Sequence, residues 1–257
     1  MKVVILAGGL GSRLAEETVV VPKPMVTIGG LPILWHILKI YSHWGFNEFY
    51  IALGYKGSVI KDYFLHYSQL GSDLKVDLAA NKVTRTRTPG EDWIIHLVDT
   101  GENTLTGGRL LRLKEFIGTE TFMLTYGDGV SDVNIPAVID LHRSRNVLGT
   151  VTAVRPPARF GGIMFEGDHV TSFAEKRQID EGWVNGGFMV LEPGVFDYLS
   201  GDSDVLEVDL LEKLSQARQL VAYKHEGYWQ CMDTLRDRQT LQERWQSGEA
   251  QWKIWKD

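Results

Sequence analysis

The chain has 257 residues, 44% of them hydrophobic and 23% charged, which is length and apolar content enough for a buried core and excludes a disordered or fibrous protein. A formal net charge of −6, with lysines and arginines scattered rather than blocked, excludes the electrostatic footprint of a nucleic-acid binder. No apolar stretch has the length of a membrane span, Met1–Ala7 runs into glycines rather than into a signal segment, and Cys231 is the single cysteine, so the expectation is a cytoplasmic chain with no disulfide and no structural zinc.

In chain order, the stretch Lys2–Ala7, apolar after its lysine, ends in Gly8-Gly9-Leu10-Gly11-Ser12-Arg13 and predicts a buried strand opening into a loop. Leu34, Ile37, Leu38 and Tyr41 give Ile33–Trp44 a helical period, and Glu48–Leu53 reads as the second strand. The alternation continues with a helix over Ser58–His66, strands at Leu74–Ala79 and Trp93–Val98, a helix over Gly108–Ile117 and a strand at Thr121–Tyr126 that ends in Gly127-Asp128-Gly129. A helix over Ile135–Ser144 and a strand at Thr150–Val154 follow, and this order predicts the crossover units of an α/β fold with a largely parallel sheet. Beyond Pro156-Pro157, short strand-like segments at Gly162–Glu166, Val170–Glu175 and Phe188–Leu191 predict small antiparallel ribbons. A helix over Val205–Ala217, a strand at Leu220–Lys224 and a helix over Leu235–Gln246 close the chain, with no repeat or linker to divide it.

Glycines at 8, 9 and 11 let backbone N–H groups approach phosphate oxygens that a Cβ would hold off, although the same pattern also serves as a plain tight turn. Leu14 stands where the dinucleotide fingerprint needs its third glycine, and no glycine is followed by lysine as a P-loop requires. Lys23 lies between Pro22 and Pro24, which predicts an extended segment that presents its ammonium.

The run Leu6-Ala7-Gly8-Gly9-Leu10-Gly11-Ser12-Arg13-Leu14, followed by Pro22-Lys23-Pro24-Met25, resembles the signature of sugar-1-phosphate nucleotidyltransferases. Within them, Ala15-Glu16-Glu17-Thr18, Ile33-Leu34-Trp35-His36, Gly54-Tyr55-Lys56-Gly57, Val98-Asp99-Thr100-Gly101, Thr106-Gly107-Gly108-Arg109 and Trp229 through Asp237 are similar to the glucose-1-phosphate cytidylyltransferase family, along essentially the whole chain. The resemblance implies a Rossmann-like mixed sheet flanked by helices, in one domain whose 1–150 half binds mainly nucleotide and whose 151–257 half binds mainly sugar phosphate. It implies CTP and α-D-glucose 1-phosphate as substrates, CDP-glucose for bacterial surface polysaccharides as product, Mg²⁺ as cofactor and a homo-oligomer, a hexamer in some members.

Carried over by residue, the resemblance places CTP against Leu6, Ala7, Gly8, Gly9, Gly11, Ser12 and Arg13, with Lys23 on the triphosphate and Thr104, Gly108 and Arg109 toward base or phosphate. Lys176 would hold the sugar phosphate and Glu175 the sugar hydroxyls, with Gly129, Gly161, Asn185 and Gly186 around the sugar. Arg177 stands where many relatives have proline. Asp128, between glycines at a strand end, points toward the cleft or serves as a turn residue, and Asp233 is a second metal ligand or a helix cap. Two carboxylates with phosphate oxygens and water suffice for Mg²⁺. Arg109 also reads as a solvent-facing helix residue, and Tyr126 and Tyr228 as cleft or core. Trp245, Trp252 and Trp255 fit internal packing or a subunit interface.

The implied reaction is a single in-line displacement at the α-phosphorus of CTP. The attacking phosphate is already an anion, so no general base is required, and none of the seven histidines is assigned to catalysis. Arg13, Lys23, Asp128 and Lys176 are the residues on which the reaction is expected to rest.

Overall fold

The computed structural model describes residues 1–11, 14, 18–85, 90–156, 162–174 and 182–256. The first strand, β1 (Val3–Leu6), is buried at every position because its side chains serve two cores at once. Val3, Ile5 and Ala7 enter one apolar cluster and Val4 and Leu6 the other. That alternation, with no polar position, is what a strand covered by helices on both faces demands.

A single 3₁₀ turn at Lys23–Met25 leads into a hairpin of β2 (Thr27–Ile28) and β3 (Leu31–Pro32), whose connecting Gly29 and Gly30 take φ of 62° and 83°. Two successive residues with positive φ fit the two-residue turn that matches strand twist. Helix α1 (Ile33–His43), β4 (Glu48–Leu53), helix α2 (Gly57–Leu70), an exposed hairpin of β5 (Leu74–Asp77) and β6 (Lys82–Arg85), and β7 (Ile94–Asp99) follow. Next come α3 (Thr106–Arg112), α4 (Lys114–Ile117), β8 (Phe122–Tyr126), β9 (Gly129–Ser131), α5 (Ile135–Arg145) and β10 (Gly149–Val154). The hairpin of β11 (Gly162–Glu166) and β12 (His169–Ala174) precedes β13 (Val184–Asn185), β14 (Met189–Leu191) and a 3₁₀ turn at Pro193–Tyr198. A π-helix over Leu206–Glu212, α6 (Lys213–Gln216), β15 (Leu220–His225), β16 (Trp229–Cys231) and α7 (Leu235–Gln246) complete the order.

The main sheet runs β13-β10-β14-β8-β1-β4-β7, with β15 alongside β10. β1 pairs in parallel with β4 and β8, and β4 with β7, while β14 runs antiparallel between β8 and β10. The predicted α/β class with a mixed, mostly parallel sheet is therefore what the chain adopts. The ribbon expected after Pro156-Pro157 forms from β11 and β12, while Phe188–Leu191 joins the main sheet as β14. Further ribbons lie at Thr27–Pro32 and Leu74–Arg85, and β9 with β16 forms another that ties the halves together. Segments of two or three residues carry too little periodicity to be read as strands, and only their partners define them.

Two further expectations are corrected. Lys23 is not in an extended segment: Pro22 is extended, but Lys23–Met25 forms one helical turn, with Met25 N–H donating to Pro22 O at 2.8 Å. Proline is accepted in a first turn because its missing N–H has no partner there, so Pro24 permits the turn instead of preventing it. The predicted helix over Gly108–Ile117 begins at Thr106 and breaks at Leu113.

The two clusters lie on opposite faces of the sheet. On one, α1 buries Ile33, Leu34, Ile37, Leu38 and Tyr41, and the segment after α7 returns to insert Trp252 and Trp255 beside His36. These two tryptophans, 1% and 7% exposed, thus pack inside their own chain. Tyr228 stacks on Trp252 with ring centres 5.6 Å apart and belongs to this core. On the other face α3, α4 and the π-helix cover Val4, Leu6, Tyr50 and Leu124.

Candidate active site

The carboxyl ends of β1 and β8 lie side by side, and a cavity of about 370 Å³ opens over them. Crevices at this end of an open α/β sheet are where ligands bind, and the volume suits a nucleotide-sized molecule. Of the residues expected around nucleotide, Leu6, Ala7, Gly8, Gly9, Gly11, Lys23, Thr104, Arg109 and Asp128 line it, and Asp233 joins them.

Three of these meet. Lys23 Nζ donates to Asp128 Oδ2 at 2.5 Å and to Asp233 Oδ1 at 2.5 Å, with side chains 12%, 29% and 22% exposed respectively. Burial opposes the lysine's charge, but the two carboxylates outweigh it, so its pKa is raised and the ammonium persists well above neutral pH. The pairing of β9 with β16 fixes this geometry: Gly129 faces Cys231, and Met232 N–H donates to Asp128 O at 2.9 Å, which brings the segments carrying both acids together. Gly127 must be glycine, since a Cβ would press on Leu6 O at 2.9 Å and Pro24 Cγ at 3.0 Å.

Asp233 is not the helix cap. Thr234 caps α7, accepting from Asp237 N–H, while Asp237 completes the capping box by accepting from the Thr234 backbone. That division leaves the Asp233 carboxylate facing the cavity. Cys231 beside it has its thiol pushed up to about 12 by burial, then by Asp233 and Asp128, and so stays protonated.

Arg109 lines the cavity as expected and is not a solvent-facing helix residue. It is 4% exposed, and its guanidinium donates to Leu53 O at 3.0 Å, Thr100 Oγ1 at 2.9 Å, Gly101 O at 2.7 Å, Gly8 O at 2.9 Å and Glu102 O at 3.1 Å. These acceptors sit at or just beyond the ends of β1, β4 and β7, so Arg109 holds the loops at the cavity rim together while itself lining the cavity. Burial, then the like charge of Arg112, lowers its pKa. A Cβ on Gly8 or Gly54 would run into this guanidinium, so Gly8 is required for the arginine's approach. Gly9 has open space where its Cβ would be, and Gly11 takes a φ of +64°.

Other expected residues fall elsewhere. Gly108 faces away from the cavity: a Cβ there would meet the backbone of Asp202, so its small size serves packing of α3. Gly129 lies in the β9–β16 ribbon, where a Cβ would contact Trp229 Nε1 at 3.7 Å. Asn185 donates through Nδ2 to Tyr126 Oη at 3.2 Å, and Gly186 O accepts from Trp229 Nε1 at 2.9 Å. Tyr126 lines the cavity, one of its two expected places, and Pro24, Leu105, Thr106 and Gly127, not among the expected site residues, line it too. Ser12, Arg13, Gly161, Glu175, Lys176 and Arg177 lie outside the described residues.

The donor set fits a hard divalent cation. Asp128 and Asp233 converge with one oxygen each on a single nitrogen, so a positive charge already occupies the point between them, and two carboxylates plus phosphate oxygens satisfy Mg²⁺. Among the described residues no group of three or more His, Cys, Asp or Glu is placed to hold a metal alone, and none of the helices is long and apolar enough to cross a membrane.

Known proteins resemble this chain along essentially its whole length. The nucleotidyl transferase family model matches residues 2–246. A glucose-1-phosphate cytidylyltransferase of Salmonella typhi is 49% identical over 99% of this chain and 100% of its own length. A probable glucose-1-phosphate cytidylyltransferase of Bacillus subtilis strain 168 is 43% identical over the same shares. Among solved structures, HddC from Yersinia pseudotuberculosis has a TM-score of 0.70 at 23% identity, covering 95% of this chain and 99% of its own, which reports on the fold. The chain belongs to the nucleotidyl transferase family, on its glucose-1-phosphate cytidylyltransferase branch.

Proposed function

We propose that this protein transfers a cytidylyl group from CTP to α-D-glucose 1-phosphate, giving CDP-glucose and pyrophosphate. The observation that carries the reading is Lys23 held between Asp128 and Asp233 at the floor of a nucleotide-sized cavity, in a chain 49% identical along its whole length to a protein named for this reaction.

A phosphate oxygen of glucose 1-phosphate attacks the α-phosphorus in line, and the bond to the pyrophosphate oxygen breaks. No proton has to be removed from the nucleophile, and none of the described residues lining the cavity is a histidine. Asp128 and Asp233 would hold Mg²⁺, which when bound supplies positive charge to the phosphate oxygens. Lys23 neutralises the triphosphate, Gly9 admits it close to the backbone, and Arg109 keeps the rim loops in place while this happens. Arg13 and Lys176 complete the expected cations. The same reading includes a cytoplasmic homo-oligomer whose product feeds CDP-deoxysugars of surface polysaccharide.

The test is pyrophosphate release by the purified protein with Mg²⁺, glucose 1-phosphate and each of CTP, UTP, dTTP, ATP and GTP, with sugar-free controls. Release with CTP alone is expected. Release with another triphosphate instead overturns the base, and silence with all five overturns the substrate pair.

A further inference from the structure

The cavity wall at the end of β8 carries a polar chain that the charge cluster does not use. Tyr126 Oη, at the end of β8, donates to Glu207 Oε1 at 2.6 Å and accepts from Asn185 Nδ2 at 3.2 Å. Glu207 Oε2 accepts from Thr106 Oγ1 at 3.3 Å, and Thr106 Oγ1 accepts from Leu206 N–H at 2.9 Å. Tyr126 and Thr106 both line the cavity, whereas Glu207 stands behind them on the first turn of the π-helix. π-Helical segments are uncommon and gather at functional sites.

The direction of every bond follows from Glu207. A carboxylate only accepts, so the single phenolic proton of Tyr126 must go to it. The phenolic oxygen then turns its lone pairs to Asn185, whose amide must present Nδ2, and this agrees with Asn185 Oδ1 accepting from Gly187 N–H at 3.0 Å. Without Glu207 the phenol is free to donate toward Asn185, the amide flips, and its NH₂ meets the Gly187 N–H donor.

We infer that Glu207 is a positioning residue for the sugar half of the substrate: through Tyr126 and Thr106 it fixes which donors and acceptors the wall offers to sugar hydroxyls. The chemistry separates this wall from the nucleotide's phosphates, because a carboxylate behind hydroxyls and an amide repels phosphate and suits neutral polyols, while the phosphates have Lys23. The inference rests on the sugar-nucleotidyl reading above.

The test is a KM comparison on the full-length protein, using the sugar 1-phosphate and nucleoside triphosphate that the wild type turns over. A wrong sugar then shows in the wild type, and a wrong role for Glu207 shows only in the variants. Glu207→Ala is expected to raise KM for the sugar phosphate about tenfold, the scale of one charged hydrogen bond, and to change KM for the triphosphate less than about twofold. Glu207→Gln, which still accepts from Tyr126, restores most of the loss. Adding Tyr126→Phe to Glu207→Ala costs little more than either alone, since both cut the same chain. Equal rises in both KM values, an unchanged sugar KM, or no rescue by glutamine overturns the inference, and a circular-dichroism melt separates these from unfolding.

Discussion

Lys23 Nζ stands 2.5 Å from Asp233 Oδ1, although 210 positions separate them in the chain. The ammonium therefore reports on both ends of the fold, and its loss strikes chemistry before it strikes packing. Lys23→Ala is expected to lower kcat by about 10²–10³, the range for removing one preorganised charge, with a smaller loss of stability than a core truncation. The variant leaves two carboxylates facing one another, so Mg²⁺ raises its melting temperature more than it raises that of the wild type. Steady-state kinetics beside melts with and without Mg²⁺ read both effects, and undiminished kcat removes Lys23 from the site.

Asp128→Asn keeps the shape of the side chain and removes half of the acidic pair. Turnover at ordinary Mg²⁺ is expected to fall by at least about a hundredfold, and Mn²⁺ binding followed by electron paramagnetic resonance to weaken in parallel. Chelation of the wild type should abolish turnover and leave its far-ultraviolet circular dichroism unchanged, because Asp128 and Asp233 line the cavity and belong to neither apolar cluster.

Gly54→Ala tests the role assigned to Arg109. The new Cβ meets the guanidinium, whose donors are committed to Gly8, Leu53, Thr100, Gly101 and Glu102. A loss of about 2 kcal/mol is expected, as for overpacking at a fixed site, together with a raised KM for the triphosphate as the Gly8 loop shifts. Urea denaturation and KM measured on the same preparation decide it, and a wild-type midpoint with wild-type KM rejects the clamp.

His36 is wholly buried among Trp35, Trp245, Trp252 and Trp255, and burial lowers its pKa to about 4. Its Nε2 donates to Ile28 O at 3.0 Å and its Nδ1 accepts from Trp252 Nε1 at 3.4 Å, an arrangement that needs the neutral ring. The unfolded histidine takes up its proton near pH 6.5 and the folded one does not until about pH 4, so the unfolded state binds more protons in between. The contribution of His36 to stability is complete above that window and falls as pH drops through it, by at most about 1.4 kcal/mol per unit. Urea midpoints from pH 4.5 to 7.5 should show this slope, and His36→Phe should flatten part of it; equal slopes reject the assignment.

Much of the sheet was legible because buried strands and amphipathic helices announce themselves locally: the apolar run of β1, the period of α1, and Asp128 set between glycines at a strand end. What was illegible depends on partners far away in the chain. β9 and β16 have three residues each and exist because they pair with one another, yet they bring Asp128 beside Asp233. Asp233 reads equally as a cap in sequence, and only the fold gives that role to Thr234, with Asp237 completing the box. Arg109 looks like a surface helix residue because sequence shows the charge and hides the backbone carbonyls gathered around it. Glu207 gives no signal in sequence, since the π-helix runs straight into α6 and the two read as one helical stretch that hides the acid's partner Tyr126.

The β9–β16 ribbon also sets the order in which activity can arise. Lys23 and Asp128 leave the ribosome early, and until the strand at Trp229–Cys231 follows and docks, Lys23 has one acid and the cavity floor is unfinished. A chain arrested short of that strand can build most of the parallel sheet and still be silent. Catalysis in this protein therefore waits on the pairing of two short strands that are made far apart in the chain.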